Sequence, residues 1–355
     1  MRTDRVIAVV GVSVAVLAAG VYGVGSWRGW FAKPSVRGAP EVAATATTLV
    51  TGLRAPWGLA ILPDGTALVT ERDTARLLSV TADGRVSEVQ RLTEVRPGGE
   101  AGLLGVAVAG TYPVDHWVYV YYTTESDNRI ARLHLGEAPQ PILTGIPKAG
   151  NHDGGRIAFG PDGMLYAGTG DAGNRDRAQD LGYLGGKILR LTPEGKPAPG
   201  NPYPDSPVWS FGHRNVQGLG WDSAGRMFAA EFGQNQYDEL NLIQPGRNYG
   251  WPTVEGIGHD DRFVEPIATW ATDEASPSGI AVVGDTVYVA CLRGKRIYRI
   301  GTDGGHAVAM LVGDYGRLRH VAAAPDGSLW VLTSNRDGRG SPSTQDDRIL
   351  RLTPG

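Results

Sequence analysis

The sequence predicts an all-β fold: a six-bladed β-propeller of four-stranded antiparallel blades, preceded by an N-terminal hydrophobic segment. Three observations carry this reading. The 355 residues include 51 Gly and 23 Pro but no long runs of Ala, Leu, Glu and Lys, which favours short strands and many turns. One phrase, a short apolar strand, a tight turn and a second apolar strand, recurs six times. After most copies a third strand follows, and copies roughly 40–60 residues apart fit propeller blades. A β-sandwich also uses short strands, but it does not predict regular recurrence of one three-strand phrase.

At the start of the chain, residues 6–24 are nearly all apolar or small and follow Arg2 and Arg5. Such a run is either a secretory signal or an uncleaved membrane anchor, being close to the roughly 20 residues that span a bilayer. Either reading places the folded part outside the cytoplasm. The chain then divides into a signal or anchor (1–26), a linker with Lys33-Pro34 and Ala39-Pro40 (27–44), and a propeller domain (45–355).

The first copy of the phrase runs from Gly58 to Glu71 and turns at Asp64-Gly65. Others run from Arg156 to Thr169, Gly218 to Glu231, Gly279 to Ala290 and His320 to Thr333. The remaining copy is degenerate: Gly105–Val108, a longer turn, then Trp117–Tyr122. Asp-Gly between alternating strands is a hairpin signal, because glycine accepts the positive φ that such turns require. Third strands read at Ala75–Val80, Arg129–Leu133, Lys187–Leu191, Arg296–Ile300 and Arg348–Leu352. Thr45–Val50, ahead of the first copy, is placed to complete the last blade and close the ring. The single cysteine, Cys291, lies in a strand-like run, so it forms no intrachain disulfide and reads as a core thiol. The formal net charge of −3, with no basic tract, gives no support for nucleic-acid binding.

Phase decides which residues meet. In each blade, residues before the first strand and after the second lie on one face, around the channel mouth, and the Asp-Gly turns lie on the other. Before first strands stand Arg54, Trp57, Glu100, Asn151, His152, Arg214, Asn215, Arg317 and Arg319; after second strands stand Arg72, Asp171, Glu231, Gly233, Gln234 and Arg293. Arginine offers a rigid, permanently charged fork suited to carboxylates and phosphates. The mouth therefore reads as a site for a small polyanionic ligand, with His152 as a base, Asp171 as its orienter and Arg214 beside them. Each has a blander reading: His152 as a turn residue, Asp171 as a turn cap, Arg317 and Arg319 as an exposed strand edge. The shared phase of His152, Asp171 and Arg214 favours the site. His116, His134, His259, His306 and His320 lack such support, and Trp221, Trp251 and Trp330 read as core.

Several motifs then match a family. Gly99-Glu100-Ala-Gly-Leu-Leu-Gly105, Asn151-His152-Asp-Gly-Gly, Gly168-Thr-Gly-Asp171, Phe211-Gly-His-Arg-Asn215, Gly246-Arg-Asn-Tyr-Gly-Trp-Pro252 and Arg317-Leu-Arg319 are the carriers. From about Leu49 to Leu352 the chain resembles the soluble glucose and aldose sugar dehydrogenases that use pyrroloquinoline quinone (PQQ). The resemblance implies that His152 takes the proton of the sugar C1 hydroxyl as hydride passes to PQQ. Asp171 is implied to orient His152, and Arg214 to stabilise charge on the quinone oxygen. Asn215, Arg293, Arg317 and Arg319 are implied to hold PQQ, and Glu100 stands where the glucose-type enzymes carry a site glutamine. The backbone carbonyls of Gly233 and Gln234 are implied ligands of a Ca²⁺ that polarises PQQ. Arg293 replaces a family lysine and Gln234 a common proline; the first keeps the charge and the second keeps its carbonyl. Asp238, Glu239 and the Tyr249 carbonyl fall near a second Ca²⁺ site of some relatives. The implied partners are an aldose sugar and an unidentified external electron acceptor, for a chain that is a monomer or a homodimer. Two other readings stand beside this one: a metal-dependent lactonase, and an extracytoplasmic ligand-binding propeller without catalysis.

Overall fold

The computed structural model describes residues 35–353 apart from residue 37. The apolar N-terminal run lies outside the described residues. Six separate four-stranded antiparallel sheets make up the described chain, each one blade. Blade 1 comprises Pro56–Ile61, Ala67–Glu71, Arg76–Val80 and Val86–Arg91, and blade 2 comprises Leu103–Val108, Val118–Thr123, Asn128–Leu133 and Gln140–Ile146. Blade 3 comprises Arg156–Phe159, Leu165–Gly168, Lys187–Leu191 and Val208–Phe211, and blade 4 Val216–Trp221, Met227–Glu231, Tyr237–Ile243 and Ala268–Ala271. Blade 5 runs through Pro277–Val283, Thr286–Cys291, Arg296–Gly301 and Val308–Met310. Blade 6 uses Leu318–Ala323, Leu329–Thr333 and Ile349–Leu352, and its outer strand is Ala46–Val50 from the other end of the chain. Ala46 pairs with Leu352 and Thr48 with Leu350, so the ring closes as the sequence predicts.

First strands of neighbouring blades lie against one another around the channel, and the glycine that opens most copies of the phrase explains how. A Cβ on Gly105 would stand 2.3 Å from the Gly155 carbonyl of blade 3, and one on Gly218 would stand 2.4 Å from the Ser278 carbonyl of blade 5. Any side chain there would push the blades apart. Outward of this ring, blades stack through apolar slabs such as Leu104, Tyr119 and Ile130 of blade 2 against Ile157, Leu165 and Leu189 of blade 3. Each fully buried aliphatic side chain contributes about 1.5–3 kcal/mol relative to exposure. The longer turn of blade 2 holds one helical turn, Tyr112–Asp115, with proline in its first turn. Cys291 is buried beside Trp270 and Tyr298, and burial pushes its thiol well above the usual range. Ahead of the closing strand, Val36 N–H donates to Thr269 at 3.0 Å and Val42 N–H to Ala309 at 2.9 Å, along the outer strands of blades 4 and 5.

Candidate active site

The loop that carries His152 is fixed from every side. His152 has φ of +57°, a left-handed conformation costly for a residue with a Cβ. Its N–H donates to Glu100 Oε2 at 2.9 Å, and its carbonyl accepts from Ala172 N–H at 3.2 Å. Gly154 N–H donates to Asn215 Oδ1 at 3.0 Å. Asp153 Oδ1 accepts from Asn128 Nδ2 at 2.9 Å and from Ala149 N–H at 3.1 Å. Gly170 lets the neighbouring segment close in, since a Cβ there would lie 1.8 Å from the His152 carbonyl oxygen. Blades 2, 3 and 4 thus over-determine one strained residue, which is where strain is tolerated.

The side chain of His152 has a defined proton arrangement. Nδ1 lies 2.7 Å from Asp171 Oδ1, and Nε2 lies 2.8 Å from Arg214 Nη2. A guanidinium can only donate, so Nε2 carries the lone pair and Nδ1 the proton. Asp171 is fully buried, yet it also accepts from Gly173 N–H and from Trp251 Nε1–H, both at 2.8 Å. Burial opposes its ionisation, but the hydrogen bonds from His152, Gly173 and Trp251 prevail and hold the carboxyl below the usual range. The arrangement is an ionised orienter, an imidazole whose Nε2 is an acceptor, and a cation that donates to that nitrogen. Arg214 also donates from Nη1 to the Phe232 carbonyl at 3.1 Å, while its Nε is buried without a partner among the described residues.

Around this centre the mouth is cationic but already partly neutralised. Arg317 donates from Nε and Nη2 to Asp337 Oδ2 at 3.0 and 2.9 Å, and Arg319 Nη2 stands 3.5 Å from the same oxygen. Arg319 donates from Nη1 to Gln217 Oε1 at 2.8 Å, and its Nε has no partner among the described residues. Burial pushes the Arg319 guanidinium down to about 9, with Asp337 opposing, so it stays charged at neutral pH. Glu100 bridges the rim: Oε2 accepts from Asn215 Nδ2 at 3.3 Å and Oε1 from Arg339 Nη1 at 3.0 Å. Burial disfavours its charge, but the His152 N–H and Arg339 bring it below the usual range. Trp57, Arg72, Glu100, Gln217, Phe232, Leu292, Arg319, Asp337 and Arg339 line a cavity at this level. Arg293 stands apart: it is exposed, and its guanidinium lies 3.5 Å from the Thr272 carbonyl.

The Gly233–Gln234 loop is organised by one carboxylate. The N–H groups of Gln234, Asn235, Gln236 and Tyr237 all donate to Glu255 Oε1, at 2.6, 3.0, 2.9 and 3.1 Å. Gly233 N–H donates to Asp238 Oδ1 at 2.9 Å. In a trans peptide the carbonyl points opposite to the following N–H. The Phe232, Gly233 and Gln234 carbonyls therefore point away from these carboxylates, and the first of them meets Arg214. Asp238 Oδ2 accepts from Ser276 N–H at 2.7 Å, and Glu239 accepts from Gly256 N–H at 2.7 Å and Asn241 Nδ2 at 3.0 Å. No group of three or more His, Cys, Asp or Glu side chains suited to a metal occurs among the described residues.

Asp153 gives a prediction at the level of stability. Burial pushes its carboxyl from the ordinary 3.8 up to about 6, with Asn128 and the Ala149 N–H opposing, and Oδ2 has no partner among the described residues. Between about pH 4 and about pH 6 the folded form keeps a proton that the unfolded chain has released, so stability falls as pH rises across that window. Asp153→Asn should remove this loss. Melting followed against pH should show the variant gaining on the parent by on the order of 2 kcal/mol from pH 4 to pH 7. Parallel curves would mean that Asp153 is ionised throughout.

The sequence profile of the Glucose / Sorbosone dehydrogenase family matches residues 53–350. The chain belongs to this family. An aldose sugar dehydrogenase from Streptomyces coelicolor, solved in its PQQ-bound form, is 52% identical with a TM-score of 0.85, covering 89% of this chain and 99% of that one. A Thermus thermophilus protein described as a glucose dehydrogenase is 45% identical with a TM-score of 0.81, covering 87% of this chain and 99% of its own. The Escherichia coli aldose sugar dehydrogenase YliI is 29% identical over 329 residues, which is 80% of this chain and 88% of the relative. Members with such names are oxidoreductases of the quinoprotein type, and membership makes this chain an enzyme of that class.

Proposed function

We propose that the chain binds PQQ in the mouth and oxidises aldoses at C1 to lactones, passing electrons to an external acceptor outside the cytoplasm. The observation that carries the reading is the Nε2 of His152, fixed by Asp171 and flanked by Arg214, and joined through Glu100 to an arginine-lined cavity. In their chemistry the residues present fit a tricarboxylate: Arg214, Arg317 and Arg319 are cations, and Arg319 and Arg214 each bury an Nε without a partner among the described residues. Bound there, PQQ supplies a two-electron quinone that accepts the hydride. Asn215, Arg317, Arg319 and, at the rim, Arg293 are the residues assigned to hold it. The outward-pointing carbonyls of Gly233 and Gln234 are assigned to Ca²⁺, whose remaining oxygen ligands must come from elsewhere.

His152 Nε2 takes the C1 hydroxyl proton, and the resulting imidazolium is stabilised by ionised Asp171. Nε2 has one lone pair, so Arg214 must release it before the hydroxyl proton can be taken. The freed Nη2–H of Arg214 would then be available to negative charge on a bound quinone oxygen.

The test is reconstitution of purified protein with PQQ and Ca²⁺, followed by reduction of an artificial dye with a panel of aldoses. Aldose-dependent reduction is expected; no PQQ binding and no reduction with any sugar would leave a binding propeller without catalysis. Arg319→Met should weaken PQQ at least tenfold in a calorimetric titration, since a desolvated charge contact is lost. Parental affinity would mean that Arg319 serves only Asp337 and Gln217.

A further inference from the structure

Beneath the mouth the channel is crossed by a layer of side chains that no step above uses. Its centre is Arg156, 3% exposed, at the inner end of the blade 3 first strand. Nε donates to the Gln217 carbonyl at 2.7 Å, and the guanidinium carbon lies 4.1 Å from the centre of the Trp57 ring. Nη2 is buried without an acceptor among the described residues. No carboxylate pairs with Arg156 among the described residues; the charged group that acts on it is Arg319, which is also positive. Below this layer the channel opens into a cavity whose wall carries Leu59, Val106, Ile157, Leu219, Ile280 and Val321 together with Arg156 itself and His320. Above it, Trp57 is shared with the arginine-lined cavity.

A guanidinium stays protonated in a protein, and an unpaired one is costly to bury. Every other buried arginine at the mouth has a carboxylate or an outward-facing carbonyl in reach. Arg156 has a ring face and one backbone oxygen. No carboxylate lines the channel below Arg156, whereas a polyanion bound beside Arg319 would face it across Trp57, through a region of low dielectric where charge acts over a distance.

We propose that Arg156 is a positioning residue for the cofactor: a fixed buried positive charge beneath the mouth whose cost in the empty protein is relieved when a polyanion occupies the site above. This rests on the reading of the mouth as a PQQ site. The signature is a pair of effects of opposite sign. Removing the charge should leave the empty protein as stable as before, or more so, and should weaken the loaded one. A residue that only packs would lower both.

The experiment compares the parent, Arg156→Met and Arg156→Lys, each melted without cofactor and each titrated with PQQ in the presence of Ca²⁺. Arg156→Met should melt at or above the parental temperature when empty and bind PQQ on the order of tenfold more weakly. Arg156→Lys should recover most of that affinity, because it restores charge without the guanidinium fork. An Arg156→Met protein that melts lower when empty, or fails to fold, makes the residue structural and overturns the proposal. Parental PQQ affinity in that variant, or no recovery with lysine, overturns it equally. A parent that does not bind PQQ sinks the functional reading itself, and that result is visible before any variant is made.

Discussion

Replacing His152 with alanine should lower kcat for aldose oxidation by about 10²–10⁴-fold while PQQ still binds. Nε2 carries its lone pair toward Arg214 Nη2 at 2.8 Å, a partner that can only donate. Alanine removes that acceptor and leaves Glu100, Asn215 and the arginines in place. The His152 backbone stays tied to Glu100 and Ala172, so the loop should keep its course. Single-turnover kinetics on the reconstituted protein, with PQQ occupancy measured alongside, separate the two effects. Turnover at the parental rate would assign the base elsewhere.

Asp171→Asn should be at least as damaging, on the order of 10³–10⁴-fold in kcat, while keeping the shape of the side chain. Asp171 makes its contacts as an acceptor: Oδ1 takes the His152 and Gly173 hydrogens and Oδ2 takes that of Trp251. An amide offers one acceptor. If its oxygen serves Trp251, its NH₂ faces His152 Nδ1, the ring proton moves to Nε2, and the base becomes a donor pointed at Arg214. Nitrogen-15 spectra of the histidine ring report the tautomer directly. A variant with Nδ1 still protonated and with full activity would show that Asp171 does not govern it.

Much of the fold is readable in the sequence because its repeat has physical punctuation. Asp-Gly turns fix the hairpins, and the opening glycines are demanded by the approach of the next blade, as at Gly105 and Gly218. Third strands carry the alternation of a sheet interior, so Lys187–Leu191 has the same bounds in sequence and structure. Outer strands such as Val86–Arg91, with its exposed and half-buried residues, have no comparable signal. In the site, His152, Asp171, Arg214, Asn215 and Glu100 are legible by phase, and the structure brings them together. Asp337 is not, because it lies in the irregular segment between Thr333 and Ile349, where nothing sets a period. Glu255 and Trp251 lie in the long excursion between the third and fourth strands of blade 4. Trp251 is buried, in keeping with its reading as core, yet its indole N–H ends on Asp171; burial was visible in the sequence and the hydrogen bond was not. Arg317 and Arg319, read from the sequence as a clamp for an anion, prove to share Asp337, since their partner depends on three-dimensional neighbours.

The strand Ala46–Val50 completes a sheet whose other members come from the far end of the propeller sequence. A nascent chain therefore carries an unfinished circle until Leu352 has left the ribosome, with two blade edges awaiting each other. His152 and Asp171 are synthesised early, but Arg317, Arg319 and Asp337 arrive only with the final blade. Fragments interrupted before that point would hold His152 and Asp171 without Arg317, Arg319 and Asp337, so the two halves of the mouth are joined only when the circle closes.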